Sequence, residues 1–280
     1  MPSLVSHKSF ASFDFEGVRI DGATAGMSGV RFGYLQDARG DRIKIETPAM
    51  RIAWNAEPRT PHNQPDASIG ARLALSFGGM ESEGGQRVKA FHDFLFKMDD
   101  RVLALVKEKK GALWAKAMPD AKIDSVYVPS VKEPSDPKYD QTFAAKIPLE
   151  DNPSPASDSP RDLKTMKISV FNTAKKAISP TECKAGCLAS AIVEASYIWC
   201  APGMVGVTWT VRSVLVKPRK PERTFQFTDV EGFESDGSGA SSTVVSGDKN
   251  KKRRLNGTGD EAAGARDSTG DEAEAGSPDY

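Results

Sequence analysis

The chain is poor in the side chains on which metal and nucleophilic chemistry depend, with three histidines and three cysteines in 280 residues. His7, His62 and His92 are scattered, and His92 falls beside Asp93 in a helical pattern, where a boundary histidine is the ordinary expectation. Cys183 and Cys187 have no second ligand pair at zinc spacing, and Cys200 is left over. No metal and no cofactor are therefore expected. An odd cysteine count, with no basic-then-apolar leader near Met1, predicts free thiols in a reducing compartment. No apolar run approaches the roughly 18 to 20 residues of a membrane-spanning helix. The glycine-rich residues 78–85 lack the Gly-Lys-Ser/Thr ending of a phosphate cradle and read as a loop. No nucleophile and base fall at a spacing that would bring them together, so the inventory argues against an enzyme.

Net charge is also absent: 38 Lys and Arg match 38 Asp and Glu. This balance is a cancellation. Up to about Thr228 there are 32 basic and 26 acidic residues, and beyond it 38 − 32 = 6 basic face 38 − 26 = 12 acidic. A body of +6 joined to a tail of −6 suggests a polyanionic partner. The apolar fraction of 39% is low for a domain that fills the whole length. The expected organisation is a folded domain over 1–228 and a disordered acidic tail over 229–280, with a basic cluster at 249–254.

Apolar alternation is what the folded part has in abundance. Ile43 and Ile45 interleave with Arg42, Lys44 and Glu46, and Met50, Ile52 and Trp54 follow with Arg51 between them, which is strand periodicity. The turn signal at 37–41 separates this run from residues 32–35 as a hairpin loop would. Residues 69–77 read as a third strand after a proline-rich loop at 58–65. Val88, Phe91, Leu95, Met98, Val102 and Leu105 recur at helical intervals over 86–110, with Lys109-Lys110-Gly111 as a cationic, left-handed stop. Two further strands are expected at 125–128 and 141–147, and 152–160 is expected to hold no regular structure. Residues 188–199 and 205–216 form a long hairpin, with Val205, Val207, Trp209 and Val211 on one face and Thr208, Thr210 and Arg212 on the other. Strands, one amphipathic helix and more strands describe a mainly β fold, an elaborated five-stranded OB-fold barrel.

At this hairpin, Ile192-Val193-Glu194-Ala195-Ser196-Tyr197-Ile198-Trp199 and Gly206-Val207-Thr208-Trp209-Thr210-Val211 resemble the terminal barrel hairpin of a viral family. The family is the replicative single-stranded DNA-binding proteins of short-tailed phages and of nucleocytoplasmic large DNA viruses. The resemblance extends through residues 44–50 and the helix at 91–114, covering most of 30–217. Asp271-Glu272-Ala273-Glu274-Ala275-Gly276-Ser277-Pro278-Asp279-Tyr280 resembles the family's acidic, aromatic-ended tail, though it is longer and more dilute in charge. The resemblance implies a protein that coats unpaired DNA in replication, recombination and repair. It also implies a tail that competes with DNA and docks a DNA polymerase or helicase through Asp271, Glu272, Glu274, Asp279 and Tyr280. Self-association into a homodimer is left open.

Binding unpaired strands without sequence preference requires cations along the phosphates and exposed rings on which bases stack. The candidates are Arg42, Lys44, Arg51, Trp54, Arg59, Lys132, Lys138, Tyr139, Lys146, Lys175, Lys176 and Arg212. Trp199 and Trp209, with apolar neighbours, read as core. The cluster Lys249, Lys251, Lys252, Arg253 and Arg254 reads as a nuclear import signal or an extra phosphate clamp, placing the protein in a host nucleus or viral replication compartment. The alternatives are a virion or protein-interaction module that binds no nucleic acid, and a metal-dependent nuclease or phosphatase.

Overall fold

The structure, a computed structural model, describes residues 4–26, 30–60, 69–114, 118–201 and 203–217. Six strands precede the long helix: β1 (Leu4–Val5), β2 (Arg19–Ala25), β3 (Arg31–Gln36), β4 (Lys44–Glu46), β5 (Met50–Ile52) and β6 (Ala71–Ser76). The helical part is α1 (Gln86–Glu108), α2 (Lys110–Leu113) and α3 (Asp120–Val126), followed by β7 (Tyr127–Val128), β8 (Val131–Lys132), β9 (Thr142–Ile147) and β10 (Leu149–Asp151). After α4 (Pro160–Leu163) come β11 (Lys164–Met166), β12 (Ser169–Asn172), β13 (Ala177–Ile178), β14 (Leu188–Ala201) and β15 (Met204–Lys217). The fold is mainly β with one long amphipathic helix. The tail beyond 217, its basic cluster and the expected boundary near 228 lie outside the described residues.

The strand pairings close a ring. β14 and β15 pair antiparallel from Leu188↔Lys217 to Ala201↔Met204. β5 joins β14, β6 joins β5, and β9 pairs with β6 from Ala71↔Ile147 to Ser76↔Thr142. β9 then returns to β15 through the parallel pair Thr210↔Lys146. Alternate residues point inward: Met50 and Ile52, Leu73 and Leu75, Phe143 and Ala145, Val193 and Ala195, and Trp209 and Val211 are all buried.

β3 and β4 do not form the expected hairpin. Both lie antiparallel to β14, at Ile198↔Gly33 and at Glu194↔Lys44, so they are one interrupted strand. The turn at 37–41 is pinched off that strand by the single bridge Gln36↔Arg42 and closed by the Asp37 carboxylate, which accepts from the Arg39 and Asp41 amides. β3 and β4 occupy successive stretches of one edge of β14, residues 198–200 and 192–194, and pairing along that edge takes the place of a local hairpin.

Two bulges interrupt the long hairpin. Ala195↔Trp209 is followed by Tyr197↔Thr208, which leaves Ser196 as an extra residue on β14. Ile192↔Ser213 is followed by Val193↔Val211, which leaves Arg212 as an extra residue on β15. Because side chains alternate with a period of two, each extra residue exchanges inward and outward positions beyond it.

The stripe of α1 is buried as expected, with Phe91, Leu95, Met98, Val102 and Leu105 sealed against the core. Rings continue it inward: Phe91 meets Phe143 at 5.3 Å, and Phe143 meets Trp209 at 5.7 Å. The helix ends without a left-handed glycine. Lys109 has φ −98° and the chain runs directly into α2. At the other end Gly84, φ +90°, makes the left-handed turn that leads into the helix. Residues 125–128 are the end of α3 followed by the short β7 rather than one strand. Residues 152–163 join the paired β10 and β11; 152–159 hold no helix or strand, whereas Pro160, expected to be irregular as well, opens α4, and Leu149↔Met166 and Asp151↔Lys164 tie the base.

Candidate nucleic-acid interface

The outward face of the ring carries a row of polar side chains fixed by strand register. Lys44 of β4 pairs with Glu194 of β14, Glu194 with Thr210 of β15, Thr210 with Lys146 of β9, and Lys146 with Arg72 of β6. Direct register partners share a face, and adjacent strands lie about 4.8 Å apart, so the row is a band of roughly 19 Å around the ring. Residues on either side of it in each strand are buried, which makes the assignment of the face unambiguous.

Glu194 sits at the centre of this band and is only 6% exposed. The bulged Arg212 clamps it with both arms of its fork, Nε to Oε2 at 3.0 Å and Nη2 to Oε1 at 2.8 Å. Lys44 Nζ lies 3.7 Å from Oε2. A buried carboxylate is tolerable only when paired in this way. The two cations thus share one anion and leave a net charge of +1 at that point.

Beside the band lie four aromatic side chains. Trp199 pairs in register with Phe32 on one side and Gly206 on the other, and its ring covers Gly206, where a Cβ would stand 3.1 Å from Cζ2. Phe32 and Tyr197 meet edge to face at 5.1 Å, and Tyr34 is 37% exposed. Trp199 is therefore part of the outer face and not of the core, because the Ser196 bulge reverses its phase. Trp209, which precedes the second bulge, is core as expected and donates from Nε1 to Ser130 Oγ at 2.9 Å.

Arg42 joins rings to cations. Its guanidinium lies 4.0 Å from the Tyr34 ring centroid, and Nη1 donates to the Ser196 carbonyl at 2.6 Å. Ser196 Oγ in turn donates to Thr210 Oγ1 at 2.7 Å, inside the band.

The other candidates are distributed more widely. Arg51 and Lys132 belong to a second outward row, through the register Leu188↔Arg51↔Ser76↔Thr142↔Lys132. Burial, and then the nearby Arg72 charge, lower the Lys132 ammonium below its usual value. Trp54 is 37% exposed just beyond β5, and Arg59 bridges Gly70 at the base of the proline-rich loop. Lys138 pairs with Asp136 at 2.6 Å and lies 4.9 Å from the ring of Tyr139, which is 63% exposed. Lys175 and Lys176 occupy the β12–β13 turn. Lys175 has φ +58°, a left-handed conformation that costs a non-glycine residue about 1 kcal/mol. The structure thus brings Arg42, Lys44, Lys146 and Arg212 together and leaves Arg51, Trp54, Arg59, Lys132, Lys138, Tyr139, Lys175 and Lys176 outside that group. The tail and import residues named above lie outside the described residues, as does His62.

Phe32, Tyr34, Arg72, Tyr197 and Trp199 are absent from the sequence candidates. Arg72 was accessible to the same alternation that exposes Lys44, since it stands between Ala71 and Leu73. The outward position of Trp199 was not, because a bulge is set by cross-strand register. Cys183, Cys187 and Cys200 are buried and unpaired, and burial pushes the Cys183 and Cys200 thiols up to about 12. Among the described residues no group of His, Cys, Asp and Glu is placed to hold a metal ion, and no helix is long and apolar enough to cross a membrane.

No protein-family model matches this chain, and no curated protein matches it. Among solved structures, the single-stranded DNA-binding protein of bacteriophage Enc34 in complex with ssDNA is similar at 13% identity and a TM-score of 0.36, over 73% of this chain and 97% of that one. The single-stranded DNA-binding protein gp2.5 of bacteriophage T7 is similar at 14% identity and a TM-score of 0.40, over 71% of this chain and 100% of that one.

Proposed function

We propose that the chain binds single-stranded DNA without sequence preference, on the outward face of an OB-type ring, and performs no catalysis. One observation carries the reading: Arg42 physically links a group of partly exposed rings, Phe32, Tyr34, Tyr197 and Trp199, to the cationic band of Lys44, Arg212, Lys146 and Arg72. Rings accept bases of any identity and cations follow the phosphates, so the pair of features fits an unpaired strand better than a duplex. Aromatic and Arg side chains also anchor protein interfaces, so it is the lysines of the band, a residue type depleted at such interfaces, that favour a nucleic-acid strand.

Within this proposal the protein coats DNA during viral replication, recombination and repair. The acidic tail lowers occupancy of the band and recruits a polymerase or helicase. The basic cluster at 249–254 serves nuclear entry, and a homodimer is the oligomer to look for. The strained Lys175 supports an extension of the path over the β12–β13 turn.

The test is tryptophan fluorescence of the full chain titrated with oligo-dT at several salt concentrations. Four cations (Arg42, Lys44, Lys146, Arg212) less Glu194 leave three net charges. At about 0.7 released counterions each, the slope of log K against log salt is expected at about −2. Quenching with that slope is the supporting result. No binding in dilute buffer, or binding indifferent to salt, removes the proposal.

A further inference from the structure

We infer that Glu194 is a built-in phosphate surrogate that sets the affinity and the salt dependence of the nucleic-acid surface. This rests on the function proposed above and identifies the residue that limits it. Glu194 is the one acidic side chain in the band, and it occupies the fork of Arg212 in the two-point geometry that a phosphate would take.

A carboxylate is not required there by the fold. Outward strand positions are filled elsewhere in the band by Thr210, Lys146 and Arg72, and the register partner of Glu194 on β15 is a threonine. The anion nevertheless lies between Lys44 and Arg212, two residues along β14 from Ser196, whose carbonyl holds Arg42. It is sealed to 8% side-chain exposure, while Arg212 above it keeps 48%. Arg212 is held by the bulge that makes it an extra residue on β15, so its outer surface faces solvent while its fork is directed to Glu194. An arriving phosphate meets a guanidinium already neutralised at close range. It must share Arg212 with a carboxylate or displace it, and displacement would leave that carboxylate buried without its strongest partner. Either route costs the complex one positive charge.

The arithmetic gives a readable consequence. Glu194→Gln keeps the side-chain length and one acceptor for Arg212, and raises the charge of the cluster from +1 to +2. One more effective cation adds about 0.7 to the magnitude of the salt slope, and at 50 mM salt this corresponds to roughly eightfold tighter binding. Glu194→Thr makes the same change of charge with a strand-favouring side chain that matches Thr210 across the hairpin. It answers the question if the glutamine variant does not fold.

The experiment is oligo-dT titration of full-length wild type, E194Q and E194T between 50 and 300 mM salt, with thermal melting of each protein alone. Tighter binding with a steeper slope in a folded variant is the expected result. Equal or weaker binding in a folded variant overturns the inference, because Glu194 would then be positioning Arg212 for DNA. Failure of the wild type to bind at all overturns the proposed function instead, which keeps the two outcomes distinct.

Discussion

Asp99 fastens α1 to the sheet, and it does so as a buried acid. Its Oδ1 accepts from Tyr127 OH at 2.8 Å and Ser130 Oγ at 2.7 Å, and Oδ2 accepts from the Ser130 amide at 2.7 Å. Through Ser130 the network reaches the Trp209 indole in β15. Desolvation raises the Asp99 carboxyl above its usual value of 3.8, against the lowering effects of the Ser130 and Tyr127 hydrogen bonds and of Lys132. A carboxyl raised on folding binds its proton more tightly in the native state. Its contribution is complete below pH 3.8 and is lost as pH climbs through the raised native value. Asp99→Ala strands the Ser130 amide in the interior and should cost about 2 kcal/mol or more. Asp99→Asn removes the titration, so urea unfolding from pH 4 to 8 should show wild type losing stability relative to Asp99→Asn as pH rises. A pH-independent difference would mean that Asp99 does not titrate in this range. None of this network was readable from the sequence, where Asp99 is one of a pair of aspartates at 99 and 100 with nothing to show which one faces inward.

At the scale of elements, two tryptophans of the same hairpin, both read as core from the sequence, part company because of a single residue, Ser196. Trp209 lies before the Arg212 bulge in the inward phase, and Trp199 lies after the Ser196 bulge in the outward phase. Trp209→Ala should therefore cost about 3 to 5 kcal/mol of stability through the cavity it leaves. Trp199→Ala should leave the melting transition nearly in place and weaken oligo-dT binding by the value of one stacked base, about 1 to 3 kcal/mol or fivefold to 150-fold. The reverse pattern, with Trp199 carrying stability and no affinity, would return it to the core. This contrast marks how far the sequence could be read. Strand and helix positions were legible wherever a periodic pattern runs uninterrupted, as in α1, β6 and β9, and both arms of the hairpin were legible as strands although the bulges shift their phase. Alternation gave the outward placement of Lys44 and Arg212. What was not legible depends on pairing between distant strands: the two bulges, the Glu194 clamp, the edge that β3 and β4 share on β14, and the ring group that follows from the reversed phase.

For the whole molecule, the distribution of charge along 229–280 decides how a tail effect should be tested. Residues 249–280 hold six basic and seven acidic side chains, so removing everything after Asp248 takes away a net charge of only −1. Residues 260–280 hold one basic and seven acidic side chains, and removing everything after Gly259 takes away −6 while keeping the basic cluster. If the tail acts as a competing polyanion, the shorter deletion must tighten oligo-dT binding more than the longer one, and the difference must fade as salt is raised toward 300 mM, where the Debye length falls to about 6 Å. Competition by a docked peptide surface makes the opposite demand: both truncations lose the same acidic, aromatic-ended segment and should tighten binding equally at every salt concentration. Titrations of the full chain and the two truncations at 50 and 300 mM salt separate the two mechanisms, and unchanged affinity in both truncations would remove the tail from the regulation of the band altogether.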